Sequence, residues 1–309
     1  MANPQAPKIG PAVGGALPGL PRRKIPRGEA TFVIPGAHSW TVPAEVFEIG
    51  GVTAAAAGGA VYNGIPNEDV SSGAGGGLSW VNRVKVKPGD IVTIAVGVGG
   101  RGASNENSTT AAAGGASRIT VNGVIVCEAT GGAPGVIGSA ATGGTNTVGD
   151  GGGSGGDGAF GGTLGERYAT GGAAGGYSGD GGDGVAGNDA TSGGNAGSGG
   201  GGGSGGFSAT NNQSSGSGGV GLNGEGDSGA AGSAGGGVGG GGSGGQDGDI
   251  GSGVTNLNTV GTPGVFGAGG SVAFTDSNPD PSYALSGAQG AVRIIFGPGR
   301  AFPSTDTGQ

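Results

Sequence analysis

Polar and apolar residues alternate in LSWVNRVKVK (78–87). Leu78, Trp80, Val84 and Val86 share one side, and Arg83, Lys85 and Lys87 the other. A period of two is that of a half-buried β-strand. Pro88-Gly89 then turns the chain into DIVTIAV (90–96), which predicts a hairpin. TFVI (31–34), SWTV (39–42) and EVFEI (45–49) are short β-rich runs divided by Pro35-Gly36 and Pro43. SRITV (117–121) and VIVCE (124–128) flank Asn122-Gly123, a pair suited to a tight type I′ turn. AVRIIF (291–296) is far away in sequence and is expected to return beside the early strands, because an unpaired apolar edge invites aggregation. No stretch carries a helical period, so the expected class is all-β, without α-helix.

From 131 to 270 the pattern changes from alternation to a period of three. In SGGNAGSGGGGGSGG (192–206), every third residue from Ser192 forms one set, and the positions between are glycine except Ala196. Ser154, Asp157, Phe160 and Thr163 share a phase in SGGDGAFGGTLG, as do Tyr177, Asp180, Asp183 and Ala186 in YSGDGGDGVAGN. Three residues per turn is polyproline II geometry, which has no internal hydrogen bonds. Its N–H and C=O groups must find partners in neighbouring segments, and ridges without side chains let those segments approach. The expected architecture is a bundle of packed antiparallel polyproline II helices on a β-sandwich-like base. Collagen is disfavoured because its glycine phase runs without interruption. An unfolded chain is the other alternative, since ordering glycine is entropically costly. The predicted divisions are an extended basic, proline-rich arm at 1–30, a β-rich base at 31–130 completed by 291–296, a glycine-rich bundle at 131–290, and a tail at 297–309.

Composition sharpens this picture. Glycine (88 residues) and proline (16) fill about a third of the 309 positions, and aromatic residues are 5%. An ordinary apolar core is out of reach, and backbone contacts must replace it. Residues 1–30 are basic and residues 131–290 strongly acidic, the wrong sign for a phosphate-binding body, so no nucleic-acid partner is expected. One cysteine, Cys127, excludes an intrachain disulfide, and one histidine, His38, has no carboxylate neighbour. GVGGRG (97–102) satisfies G-x-G-x-x-G but lacks the βαβ unit that gives the motif meaning. No nucleophile–base pair, cofactor motif or metal-ligand spacing emerges, so a non-enzymatic protein without cofactor or metal is expected. No apolar run approaches the roughly 20 residues that span a bilayer, and the proline-broken N-terminus is not an export signal.

Larger polar and aromatic side chains gather where the glycine phase breaks, at 166–170, 188–192, 207–215, 254–260 and 271–286. Rigid scaffolds commonly carry binding residues on such loops. The candidate binding residues are Arg167 and Tyr168; Phe207, Asn211, Asn212 and Gln213; and Phe274, Asp276, Asn278 and Tyr283. Aromatic rings with amides and carboxylates suit stacking on, and hydrogen bonding to, a sugar or a polar protein loop.

FVIPGAHSWTVPAEVFEIGGVTAAAAGGA, WVNRVKVKPGDIVTIAVGVGGRG, the glycine tract and GAVRIIFGPGRAFPSTDT together resemble glycine-rich bacteriophage tail-fibre adhesins, the receptor-binding tips of the T-even-like type, and related phage fibre modules. The resemblance covers residues 31–305. It implies a virion protein at the distal tail fibre, made in the host cytoplasm, that recognises a host-surface glycan or outer-membrane protein through loops between the glycine segments. It also implies partners among other tail or fibre proteins, reached through the arm and base, and no membrane insertion. A structural or assembly protein of the fibre (chaperone or connector) is the alternative. An ice-binding protein would need a flat, repetitive Thr or Ala face that this sequence lacks.

Overall fold

The computed structural model describes residues 25–63, 69–104, 110–161, 168–187, 192–208, 213–249, 259–260, 263–273 and 285–304. Among them the chain is all-β, with several antiparallel sheets and no helix. Ten strands build the two larger sheets. They are β1 (Gly28–Phe32), β2 (Gly36–Thr41), β3 (Glu48–Ala54), β4 (Leu78–Lys85), β5 (Ile91–Val96), β6 (Ser117–Val121), β7 (Val124–Ala129), β8 (Asn146–Val148), β9 (Gly151–Gly153) and β10 (Ala291–Phe296). One sheet has the order β1-β10-β3-β4-β9, the other β8-β7-β6-β5-β2. The closing strand AVRIIF thus lies between β1 and β3, antiparallel to both. β6 and β7 pair across Asn122-Gly123, both in left-handed backbone at φ 51° and 79°. Ile49, Val81, Val86, Val92, Ile94, Ile119, Val292 and Ile294 form the core between the sheets.

Two sequence expectations change here. β4 and β5 are not a hairpin: the Pro88-Gly89 turn carries the chain from one sheet to the other, and β5 pairs with β2 and β6. β4 also does not keep one apolar face. Its register with β3 slips between Ile49 and Gly51, so Asn82 and Arg83 both stand opposite one residue. An extra residue reverses the side-chain alternation. Leu78 and Trp80 therefore face a second core with Tyr177, Val220, Leu222, Ile295 and Phe302, while Val81, Val84 and Val86 join the first.

Strands of these sheets continue into extended passes whose backbone bonds run sideways. Along 55–60, the N–H groups of Ala55 and Gly58 reach Gly77 and Ala74, those of Ala56 and Gly59 reach Gly115 and Ala112, and those of Ala57 and Ala60 reach Ala288 and Leu285. The same pass accepts from Gly132 and Gly135, from Gly100 and Ala103, and from Gly270. Donors three residues apart thus share a neighbour, and one segment has six neighbours around it. Glycine is required by approach: a Cβ on Gly73 would fall on the carbonyl of Gly58, and one on Gly135 on that of Ser71. At the periphery, phased aspartates replace missing carbonyls. Asp180 accepts from Ser154 N–H and Asp183 from Asp157 N–H, each at 2.8 Å, and Asp157 accepts from Gly143 N–H.

The passes do not start at 131, because 55–60, 72–77, 97–102 and 111–116 belong to the same array. Nor is 192–206 one continuous pass. Ser198–Gly200 is a turn, with Gly199 and Gly200 at φ 48° and 78°. It folds 201–206 back on 192–197, with Ser204 N–H on Asn195 O at 2.8 Å. The predicted arm and tail are also partly built in. Gly28–Ala30 lie in β1, and Phe302 is buried, its N–H on Asn82 Oδ1 at 2.9 Å. Among the described residues no helix is long and apolar enough to cross a membrane.

Candidate functional site at the loop-bearing end

Each pass leaving the two large sheets ends in a turn or a short strand at the opposite end of the array. The pass 55–60 joins β3 to Val61–Asn63, 97–102 joins β5 to Ala103–Ser104, and 154–159 joins β9 to Phe160–Gly161. These short strands form three small sheets. Val61–Asn63 pairs with Asp69–Ser71 and Ala103–Ser104, and Asp69–Ser71 with Phe160–Gly161. Tyr168–Ala169 lies between Ala186–Gly187 and Val272–Ala273. Gln213–Ser214 lies between Phe207–Ser208 and Thr259–Val260.

Buried serines tie the three together. Ser72 Oγ donates to Thr170 O at 2.7 Å, Ser214 Oγ to Ala169 O at 3.2 Å, and Ser271 Oγ to Ser215 O at 3.1 Å. The strands at the roots of the predicted binding segments 166–170, 207–215 and 271–286 therefore lie side by side. Two turns that the sequence reading missed share this end, Val136–Ser139 and Ala234–Gly236. Their signal was weak: Pro134-Gly135 before the first, and a shift of glycine phase at 235–237 in the second.

Of the ten candidate residues, Arg167, Asn211, Asn212, Phe274, Asp276, Asn278 and Tyr283 lie outside the described residues. Tyr168 and Phe207 are each only 2% exposed and stack on one another, ring centroids 5.8 Å apart, with Val185 against them. They knit two of the small sheets rather than face outward. The reason is local: aromatic rings in a glycine array are the main apolar bulk available, and burying them is worth about 2 kcal/mol each. Gln213 remains half-buried at the end itself, leaning on Gly236, whose Cβ would come within 2.6 Å of Gln213 Oε1. Asp69 lies opposite Asn63 at the same end, and burial raises its carboxyl above the usual aspartate range.

The far pole carries a groove of about 830 Å³ walled by Ile25, Phe47, Ile49, Ile295 and Phe296. Phe47 is 56% exposed there. Glu45 and Arg83 line it in left-handed backbone, φ 68° and 55°, and non-glycine residues keep such conformations only where their surroundings impose them.

Cys127 is fully enclosed, its thiol donating to Ser79 O and lying against Thr53 Oγ1, and burial pushes that thiol up to about 11. Because the folded-state value is raised, the contribution of the neutral thiol to stability is complete below the unfolded value near 9 and lost as pH climbs through about 11. Native protein at pH 8 is therefore expected to resist a thiol reagent that reacts readily in denaturant. Fast labelling of the folded chain would contradict the enclosure.

No family model matches the chain, and no curated protein matches it.

Proposed function

We propose that the chain is a non-enzymatic virion adhesin of a phage tail fibre. Its segments at one end of a stiff glycine array bind a host-surface glycan or outer-membrane protein. The observation that carries this reading is the common root of 166–170, 207–215 and 271–286, in three small sheets locked by Ser72, Ser214 and Ser271. Scaffolded loops lose less entropy on binding than loose ones. We take the passes to be polyproline II helices and the two large sheets to be a sandwich-like base. The sharing of a neighbour by N–H groups three residues apart supports the first point, and the core between the sheets the second.

The apolar groove at the far pole suits attachment to a fibre or tail protein, and Ile25, where the described residues begin, lies in its wall. That groove also favours a second reading, a fibre connector or assembly protein without a receptor. The two separate experimentally. Replacing 209–212 and 274–284 with Gly-Ser linkers of equal length is expected to leave the melting temperature unchanged and to abolish binding to the cells that the native chain binds. Undiminished binding would leave the connector reading in place of the adhesin.

A further inference from the structure

A second cleft opens on the flank, between the edge of β1 and the turns of the array. It has a volume of about 430 Å³, and its lining includes Glu29, Asn223, Gln246, Phe266 and Arg293. Sites for small organic ligands fall in a range of roughly 300–1,000 Å³.

Its floor is a fixed carboxylate. Arg293, 4% exposed, donates to Glu29 Oε2 at 2.5 Å, and Arg300 donates to the same oxygen at 2.6 Å. Arg293 is itself held by Leu222 O at 3.1 Å. Both arginines converge on Oε2, so Oε1 accepts no hydrogen bond among the described residues, and the side chain is 45% exposed. The arginines also hold the Glu29 carboxyl below the usual glutamate range. The group thus stays ionised with its orientation fixed before any ligand arrives.

The walls supply complementary chemistry. The side-chain amides of Asn223 and Gln246 are exposed and bond to nothing among the described residues. Each amide offers two N–H donors and a carbonyl acceptor. Phe266 lines the same cleft and is held in left-handed backbone at φ 61°. A bulky side chain takes that conformation only under constraint.

We infer that this cleft binds a neutral saccharide. Vicinal hydroxyls would donate to Glu29 Oε1 and exchange hydrogen bonds with the amides of Asn223 and Gln246, and a C–H face of the ring would lie on Phe266. Oε1 can accept but not donate, so a carboxylate put there in place of a hydroxyl would lose the hydrogen bond and set two acceptors in contact, which favours a neutral sugar over a uronic acid. The site is separate from the loop-bearing end, so its occupancy does not depend on the adhesin reading.

Saturation-transfer NMR on the full chain, with the methyl glycosides of glucose, galactose and mannose and with glucuronic acid as probes, tests the inference. At least one neutral glycoside is expected to bind with a dissociation constant on the order of millimolar, and glucuronic acid more weakly. N223A/Q246A changes two exposed side chains and should keep the native melt while weakening binding about tenfold, the loss of one to two hydrogen bonds. E29Q should do the same. If E29Q fails to fold because Arg293 loses its partner, the double variant still decides. The Gly-Ser linker variant of 209–212 and 274–284 should retain the sugar signal. No signal from any neutral glycoside, equal binding of glucuronic acid, undiminished binding by N223A/Q246A, or loss of binding in the linker variant would each overturn the inference.

Discussion

Replacing Gly75 with alanine is expected to cost at least ~3 kcal/mol, at the severe end of single-residue effects. Gly75 donates to Gly156 O and accepts from Gly144 N–H, both at 2.9 Å, in the middle of the array. A Cβ there would fall on the carbonyl of Ala173 and 3.2 Å from Gly156 N. The obstacle is backbone, so no rotamer change relieves it. The residue needs no left-handed conformation, so elsewhere alanine would be favoured by roughly 0.4–1 kcal/mol through the unfolded state. A guanidinium titration reads the effect as a lowered midpoint at constant slope. Gly226, exposed and with its nearest prospective neighbour at 3.2 Å, is the contrasting site. That neighbour is Ser243 Cα, and a shift of a few tenths of an ångström relieves the contact, so Gly226→Ala should cost no more than about 1 kcal/mol. Equal losses at the two positions would mean that close backbone approach is not what glycine provides.

Tyr177→Ala should remove about 3–5 kcal/mol. The side chain is fully buried where the array meets the outer face of the first sheet, among Leu78, Val220, Leu222 and Ile295. Its ring stacks on Phe302 at 5.9 Å, and Trp80 Nε1 donates to its carbonyl at 2.8 Å. The hydroxyl donates to Gly221 O at 3.2 Å and accepts from Gly224 N–H at 3.1 Å. Tyr177→Phe keeps the ring but strands both backbone groups, for about 1–3 kcal/mol. Thermal melts of the two variants separate packing from hydrogen bonding. If phenylalanine proved neutral, the hydroxyl would have no part in holding the Gly221–Gly224 bend.

How far the sequence carried depends on whether a signal was local. The Asn122-Gly123 hairpin was legible because the turn and its flanking strands are contiguous. The return of 291–296 beside the early strands followed from its apolar character alone. The β4–β5 hairpin failed because a Pro-Gly turn looks the same whether the next strand pairs or crosses to another sheet. The face of β4 failed because one extra residue at Asn82–Arg83 reverses the alternation without any mark in residue type. Within the glycine tract the phase was visible but the folding-back was not. A turn made of Ser198, Gly199 and Gly200 uses the same residues as the passes it joins, so only φ distinguishes them. At the loop-bearing end, Tyr168 and Phe207 drew notice by being large, and their size is why the array buries them. The flank cleft escaped notice because Glu29 and Arg293 are 264 residues apart.

The array around 55–60 encloses peptide groups, glycines and alanines where most domains enclose hydrocarbon. Exposing apolar surface raises the heat capacity on unfolding, and exposing polar surface lowers it. Melting this array should therefore change heat capacity by less than the usual 12–15 cal/mol/K per residue or so. Its free energy of unfolding then bends only gently with temperature. At equal maximal stability, so flat a curve reaches zero further from its summit, and the array should outlast heating that melts domains of similar size built around oily interiors.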